Sequence, residues 1–300
     1  MIKIIPVAQI NERVLLCLLL ILAMSVNTNV AAQDTIAFHS LEDTLSRIFN
    51  KIYKLKDDSS RIVASTVFFE KFKSALSLQS AFNYPFDSLT GISRMRSDDG
   101  KIRVITWNVP LNNGSSRYQG FVAVKEGGIF ELKESSALPA DWNNKILPSD
   151  SWYGAVYYKL ITTRYNKETF YTLLGWDGNN ESSNIKVIDI ISLNEHGIPC
   201  FGKPIFKTRE GIRNRIVIEY AEKASVLLRY DYQSLMIPRG KKVKYKKVWL
   251  IVTDRLIPMT PAMEGLRKYY VPSGDTYDAF LFDKGFWTFV EDIMVGNSSH

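Results

Sequence analysis

The sequence predicts an α+β protein, mainly antiparallel β, in which an N-terminal helical hairpin precedes a meander of about eleven strands forming a sandwich, open barrel or incomplete propeller. Three observations lead there. Apolar residues between positions 41 and 76 recur at helical spacings of three and four. From Ile102 onward they fall instead into short runs, rich in β-branched and aromatic residues and separated by turn residues. Aromatic side chains make up 12% of the chain, enough apolar area for a core that needs no cross-links.

The first 32 residues stand apart from this fold. Lys3 and Arg13 precede the apolar run Val14 to Met24, and small and polar residues then lead to Val30-Ala31-Ala32. That order is the pattern of a secretory signal peptide. The 11 residues of the run fall short of the roughly 20 that span a bilayer as a helix. Cleavage after Ala32 is therefore expected, followed by residence in the periplasm, at the cell surface or outside the cell. Cys17 follows bulky Leu16, which does not suit lipid attachment. Loss of Lys3, Arg13 and Glu12 takes the formal charge from +7 to +6. This diffuse balance favours solubility and weak attraction to anionic surfaces, without pointing to nucleic acid. Cys200 would be the one remaining thiol, so a disulfide-free protein is expected even in an oxidising compartment.

Residues 33–90 form the predicted helical segment. Ser40 suits an N-cap with Asp43 three residues on, and Leu41, Leu45, Ile48, Ile52 and Leu55 follow on one stripe. Asp57-Asp58-Ser59-Ser60 interrupts the pattern and starts a second helix, with Ile62, Phe69, Phe72 and Leu76 expected on its buried face.

Residues 91–300 form the predicted antiparallel β domain. Ile102 to Val109 ends at Pro110 and the turn Asn112-Asn113-Gly114, and Tyr118 to Val124 leads through Gly127-Gly128 into a third strand. Ala155 to Thr163, Thr169 to Trp176 and Ile185 to Leu193 read as a meander, with a turn expected at Asp177-Gly178-Asn179-Asn180. Ile216, Ile218 and Tyr220 recur at every second position, as do Val226, Leu228, Tyr230 and Tyr232, which predicts a hairpin turning at Glu222-Lys223. A strand from Val243 to Thr253 and a hairpin around Asp283-Lys284-Gly285 complete the series.

Three of these runs carry a resemblance: Tyr171-Thr172-Leu173-Leu174-Gly175-Trp176-Asp177-Gly178-Asn179-Asn180, Gly197-Ile198-Pro199-Cys200-Phe201-Gly202 and Tyr277-Asp278-Ala279-Phe280. From about Ser80 to Asp292 the chain resembles a group of uncharacterised exported proteins of Bacteroidetes-type bacteria. The resemblance implies an envelope or secreted setting and carries no catalytic residue over. Relatives often have histidine at the place of Arg255.

The chemistry-bearing residues are sparse. No G-x-S-x-G elbow is present, and His39, His196 and His300 are the only histidines available to activate a hydroxyl. His196 lies in Asn194-Glu195-His196-Gly197, which reads as a hairpin turn. His196 and Cys200 alone do not make a zinc site. The oxygen donors of Asp177 to Glu181 lack the calcium-loop spacing. No metal or cofactor is therefore expected.

Asp254, Glu264, Asp275 and Asp278 are carboxylates a glycan hydrolase could draw on, given the pairing such chemistry requires. The basic run Lys241-Lys242-Val243-Lys244-Tyr245-Lys246-Lys247 is either a polyanion dock or a strand whose lysines deter aggregation. Trp176, ahead of a polar loop, is the ring best suited to stack on a ligand whose hydroxyls reach Asp177 or Asn179. The sequence thus points to an exported, non-enzymatic binding or interaction module of the cell envelope, its partner an envelope component or glycan. A hydrolase working through loop carboxylates is the first alternative, and a small apolar-ligand carrier the second. No integral membrane span is expected after processing.

Overall fold

The computed structural model describes residues 38–293 except 79, 240 and 241, and leaves out the side chains of 237–239 and 242–244. The expected leader lies outside the described residues. Helix α1 covers residues 38–52, and Leu45, Phe49 and Ile52 on its inner stripe are fully enclosed. Helix α2 (Asp58–Leu76) starts where Asp57, in extended conformation, accepts the Ser60 N–H at 2.8 Å. Asp58 in its first turn and Lys73 in its last complement the helix dipole. Its buried face is Ser65, Phe68, Phe72, Ala75 and Leu76. The expected stripe is therefore rotated by about one position: Ile62 faces solvent and Phe69 sits at the border, stacked on Phe121.

Sixteen strands follow among the described residues, grouped in three sheets, none of which closes into a barrel. Sheet 1 is an up-and-down meander of β1 (Ser93–Arg96), β2 (Ile102–Pro110), β3 (Ser116–Val124) and β4 (Gly128–Lys133). Sheet 2 runs β5 (Leu147–Pro148), β9 (Pro199–Phe201), β8 (Ser183–Leu193), β7 (Glu168–Asn180) and β6 (Val156–Tyr165), with β12 (Ile216–Ala221) also pairing with β8. Sheet 3 has the order β11 (Gly211–Arg213), β10 (Phe206–Thr208), β16 (Phe286–Ile293), β15 (Tyr270–Asp283), β14 (Lys242–Pro258) and β13 (Leu228–Arg239). The β10–β16 pair is parallel; the other pairs are antiparallel.

Period-two alternation stacks these sheets into layers. Ile105, Trp107 and Val109 of β2 face the helices, while Ile102 and Val104 face sheet 2. In β7, Tyr171 and Leu173 point back to sheet 1, and Phe170 and Leu174 point on to sheet 3. Each interface also carries a hydrogen bond between layers. Trp107 Nε1 of sheet 1 donates to Gln119 Oε1 at 3.0 Å, and Ser65 Oγ of α2 donates to the same oxygen. The Tyr157 N–H of sheet 2 donates to Thr106 Oγ1 of sheet 1 at 3.0 Å. Trp287 Nε1 of sheet 3 donates to Thr172 Oγ1 of sheet 2 at 2.9 Å. An unpaired buried polar group costs about 1–3 kcal/mol, so these pairs penalise a slipped layer in a way apolar contact does not.

Two expectations about pairing fail. The segments 216–220 and 226–232 do not form a hairpin: β12 spends its backbone groups on β8, from Ile216 opposite Ile188 to Ala221 opposite Ser183. Residues 222–227 then carry the chain to sheet 3, where β13 pairs with β14. Alternation correctly put Ile216, Ile218 and Tyr220 on one face, but facing does not specify a partner. The expected turn at Asp177–Asn180 also belongs to strand β7, with a bulge between Asp177 and Asn180 and Asn179 at a φ of 36°.

Candidate ligand-binding cleft

Because β7 continues through residues 176–180, Trp176 and Asp177 point to opposite faces of sheet 2. Trp176 is half-buried and lies over Gly178, where an added Cβ would meet its ring at 3.0 Å. Asp177 is buried between sheets 1 and 2. It accepts Tyr118 Oη at 2.8 Å and Tyr153 Oη at 2.5 Å, and its Oδ1 also accepts the Asn179 N–H at 2.7 Å. Asn179 Nδ2 donates to Ser183 Oγ at 2.8 Å. Of the three residues singled out from sequence, Asp177 and Asn179 are in contact, whereas Trp176 projects from the opposite face of the strand.

Around Asp177 the chemistry is inward-looking. Burial, then the Asp177 charge, pushes both tyrosine hydroxyls well above their usual range, so they remain donors. Glu134 Oε2 accepts the Tyr118 N–H at 3.0 Å, and burial raises its carboxyl above the ordinary glutamate range. Trp142 stacks on Tyr153 with ring centroids 4.2 Å apart.

The carboxylates considered for hydrolysis are dispersed. Asp254 lies opposite Tyr277, so Asp278 projects from the other face of sheet 3. Asp254 accepts the Leu227 N–H at 2.7 Å, and Asp278 receives Arg255 through Nε at 3.2 Å and Nη2 at 2.5 Å. Glu264 follows a short 3-10 turn, and Asp275 is exposed on β15. His196 occupies the predicted turn, where Asn194 Oδ1 accepts the backbone N–H groups of His196 and Ile198. Cys200 is a free thiol on β9, half-buried beside the enclosed Phe201. Among the described residues no three of His, Cys, Asp and Glu are grouped to hold a metal ion. No helix among them is long and apolar enough to cross a membrane.

Sequence reasoning missed the cleft where sheets 2 and 3 meet. It has a volume of about 350 Å³ and is lined by Arg209, Arg213, Arg215 and Arg267, with Ile216, Phe280 and Phe289 as apolar wall. The turn between β10 and β11 presents the first of these: Thr208 Oγ1 donates to the Gly211 carbonyl at 2.9 Å, and Gly211 takes the left-handed φ of 118° that favours glycine. Arg209 extends from this turn over Phe289, 5.9 Å from the ring centroid, and pairs with Glu291. Arg213 pairs with Glu210 at 3.0 Å. Arg267 is exposed on the 3-10 turn Arg267–Tyr269, with its guanidinium 4.6 Å from the Tyr270 ring centroid and no carboxylate within ion-pair distance among the described residues.

Arg215, at the base, is a different kind of group. It is fully enclosed, pairs with Asp189 at 3.1 Å and donates to the carbonyls of Trp142, Lys145 and Phe201. Its charge is committed to the fold. Three accessible arginine heads thus face two exposed glutamates. Exposed ion pairs are worth about 0–1 kcal/mol, so an incoming anion can exchange for Glu210 or Glu291 at little cost. The guanidinium fork matches carboxylate, sulfate and phosphate oxygens in pairs, and the aromatic wall suits the body of a ring.

Arg209, Arg213 and Arg215 lie within seven residues of sequence, a density that could have marked the segment. Their meeting with Arg267 and Phe289 depends on the parallel β10–β16 pair and on β12 joining β8, which alternation does not reveal. No family model, curated protein or solved structure matches this chain. The cleft is therefore defined by its own geometry.

Proposed function

We propose that this chain is an exported, non-enzymatic binding module of the cell envelope, whose cleft between sheets 2 and 3 takes a ligand with an anionic group on a ring-sized body. The supporting observation is the convergence of Arg209, Arg213 and Arg267 on an apolar wall, with Glu291 and Glu210 as the ion-pair partners of Arg209 and Arg213 among the described residues. Export is supported by the leader-like order of residues 1–32, and the resemblance to exported Bacteroidetes-type proteins agrees with it. An acidic or sulfated envelope glycan has the required chemistry: hydroxyls and a ring to lie on Phe289, and anionic oxygens to meet the arginines.

Calorimetric titration with dextran sulfate oligosaccharides and with neutral dextran of equal length tests this reading. The sulfated series should bind, with affinity falling as salt is raised, and the neutral series should not. Equal binding of the neutral series, or no binding of the sulfated one at low salt, would refute it.

A further inference from the structure

A second surface has different chemistry. Pairing between β14 and β15 begins at Leu250 opposite Leu281, whereas β13 and β14 remain paired back to Arg239 opposite Lys242. Among the described residues, the part of the β13–β14 hairpin before Leu250 is therefore a two-stranded arm extending past sheet 3. Such a ribbon is marginal in water unless its faces are covered. Gln233 and Leu235, on one face, are buried.

The other face is open. Tyr232 lies directly opposite Trp249, and Met236 opposite Tyr245. All four share one side of the ribbon, with exposures of 49%, 52%, 52% and 57% for Tyr232, Trp249, Met236 and Tyr245. Tyr230 and Tyr232 flank Trp249 at centroid distances of 4.9 and 5.4 Å, extending the aromatic strip back to the body. Lys247, opposite Ser234, lies on the same side between the two pairs and is exposed. From Gln233 to Thr253 the sequence holds Arg239, Lys241, Lys242, Lys244, Lys246 and Lys247, and no acidic residue.

Lysines that only guarded a strand against aggregation would not accompany an open aromatic and methionine face, which promotes association. Tyrosine and tryptophan favour the level where lipid headgroups meet acyl chains, and a basic segment without acids is drawn to anionic headgroups. Charge and ring chemistry together favour a lipid surface over a protein groove. We propose that the β13–β14 arm docks the protein peripherally on an anionic membrane, seating the Tyr232, Met236, Tyr245 and Trp249 face at headgroup level.

Co-sedimentation of the full chain with phosphatidylcholine vesicles, with and without phosphatidylglycerol, tests this. Binding should require phosphatidylglycerol, weaken with salt and shift tryptophan emission to the blue, and the shift should vanish in Trp249→Phe. Tyr245→Ala/Trp249→Ala and Lys246→Glu/Lys247→Glu should each weaken partition by about tenfold or more with an unchanged thermal midpoint. Arg267→Glu should leave partition unchanged, which separates the arm from the cleft. Absence of binding at low salt, or binding unaltered in both double variants, would overturn the proposal. So would self-association lost in Tyr245→Ala without any vesicle binding, which would assign the face to a second copy of the chain.

Discussion

The seam between sheets 1 and 2 and the cleft between sheets 2 and 3 both hold charged residues, but they use them in opposite ways. In the seam, Asp177 accepts two tyrosine hydroxyls and a backbone N–H, and Asp189, on the seam side of β8, is fully enclosed with Arg215, whose guanidinium forms the base of the cleft and is completed by three carbonyls. In the cleft, Arg209 and Arg213 make surface pairs with exchangeable glutamates, and Arg267 rests on a ring. A charge saturated by its own fold specifies architecture. A charge left facing solvent beside an apolar wall is available for recognition.

The sharpest break in that comparison is Asp189→Ala. It leaves Arg215 buried without its counter-charge and should cost about 3–5 kcal/mol in urea denaturation. A loss below about 1 kcal/mol would mean that the seam tolerates an unpaired charge and the contrast is false.

A smaller effect is expected at Glu134, whose carboxyl is raised by burial and then by the neighbouring Asp177 charge. The folded state holds this proton more tightly than the unfolded chain does. Its contribution to stability is thus fully present below the ordinary glutamate range and is lost as pH rises through the raised folded value. Glu134→Gln, which keeps an acceptor for the Tyr118 N–H, should remove that part of the pH dependence and leave the variant relatively more stable at neutral pH. An unchanged profile from the ordinary glutamate range upward would place Glu134 outside the seam's electrostatics.

The layers are partly legible in the amino-acid sequence. Alternation assigns Ile216, Ile218 and Tyr220 to one face, and helical spacing finds both N-terminal helices. It fails at α2 by taking Ile62 and Phe69 over Phe68, since three- and four-residue spacings admit neighbouring stripes when Val63 and Val67 are apolar yet exposed. It fails again at 216–232, because a strand's facing residues do not reveal that β12 is already paired with β8. The site is less legible. Trp176 and Asp177 look like companions because the Asp-Gly-Asn-Asn run resembles a turn, whereas a continuing strand sends them apart. The arginine cleft depends on contacts between Arg209 and Glu291 and between Arg267 and Tyr270, set by strand order rather than local pattern.

The most direct measurement is a paired one on Arg267→Glu: the thermal midpoint and the affinity for a sulfated oligosaccharide, from the same preparation. Arg267 is exposed and outside the saturated seam, so the midpoint should hold to within about 0.5 kcal/mol of stability. Affinity should fall about tenfold or more, as expected when a charge-assisted contact becomes a repulsion. A variant that keeps the affinity, or loses stability in proportion to it, would contradict the claim that the exposed arginine of the cleft serves recognition rather than the fold.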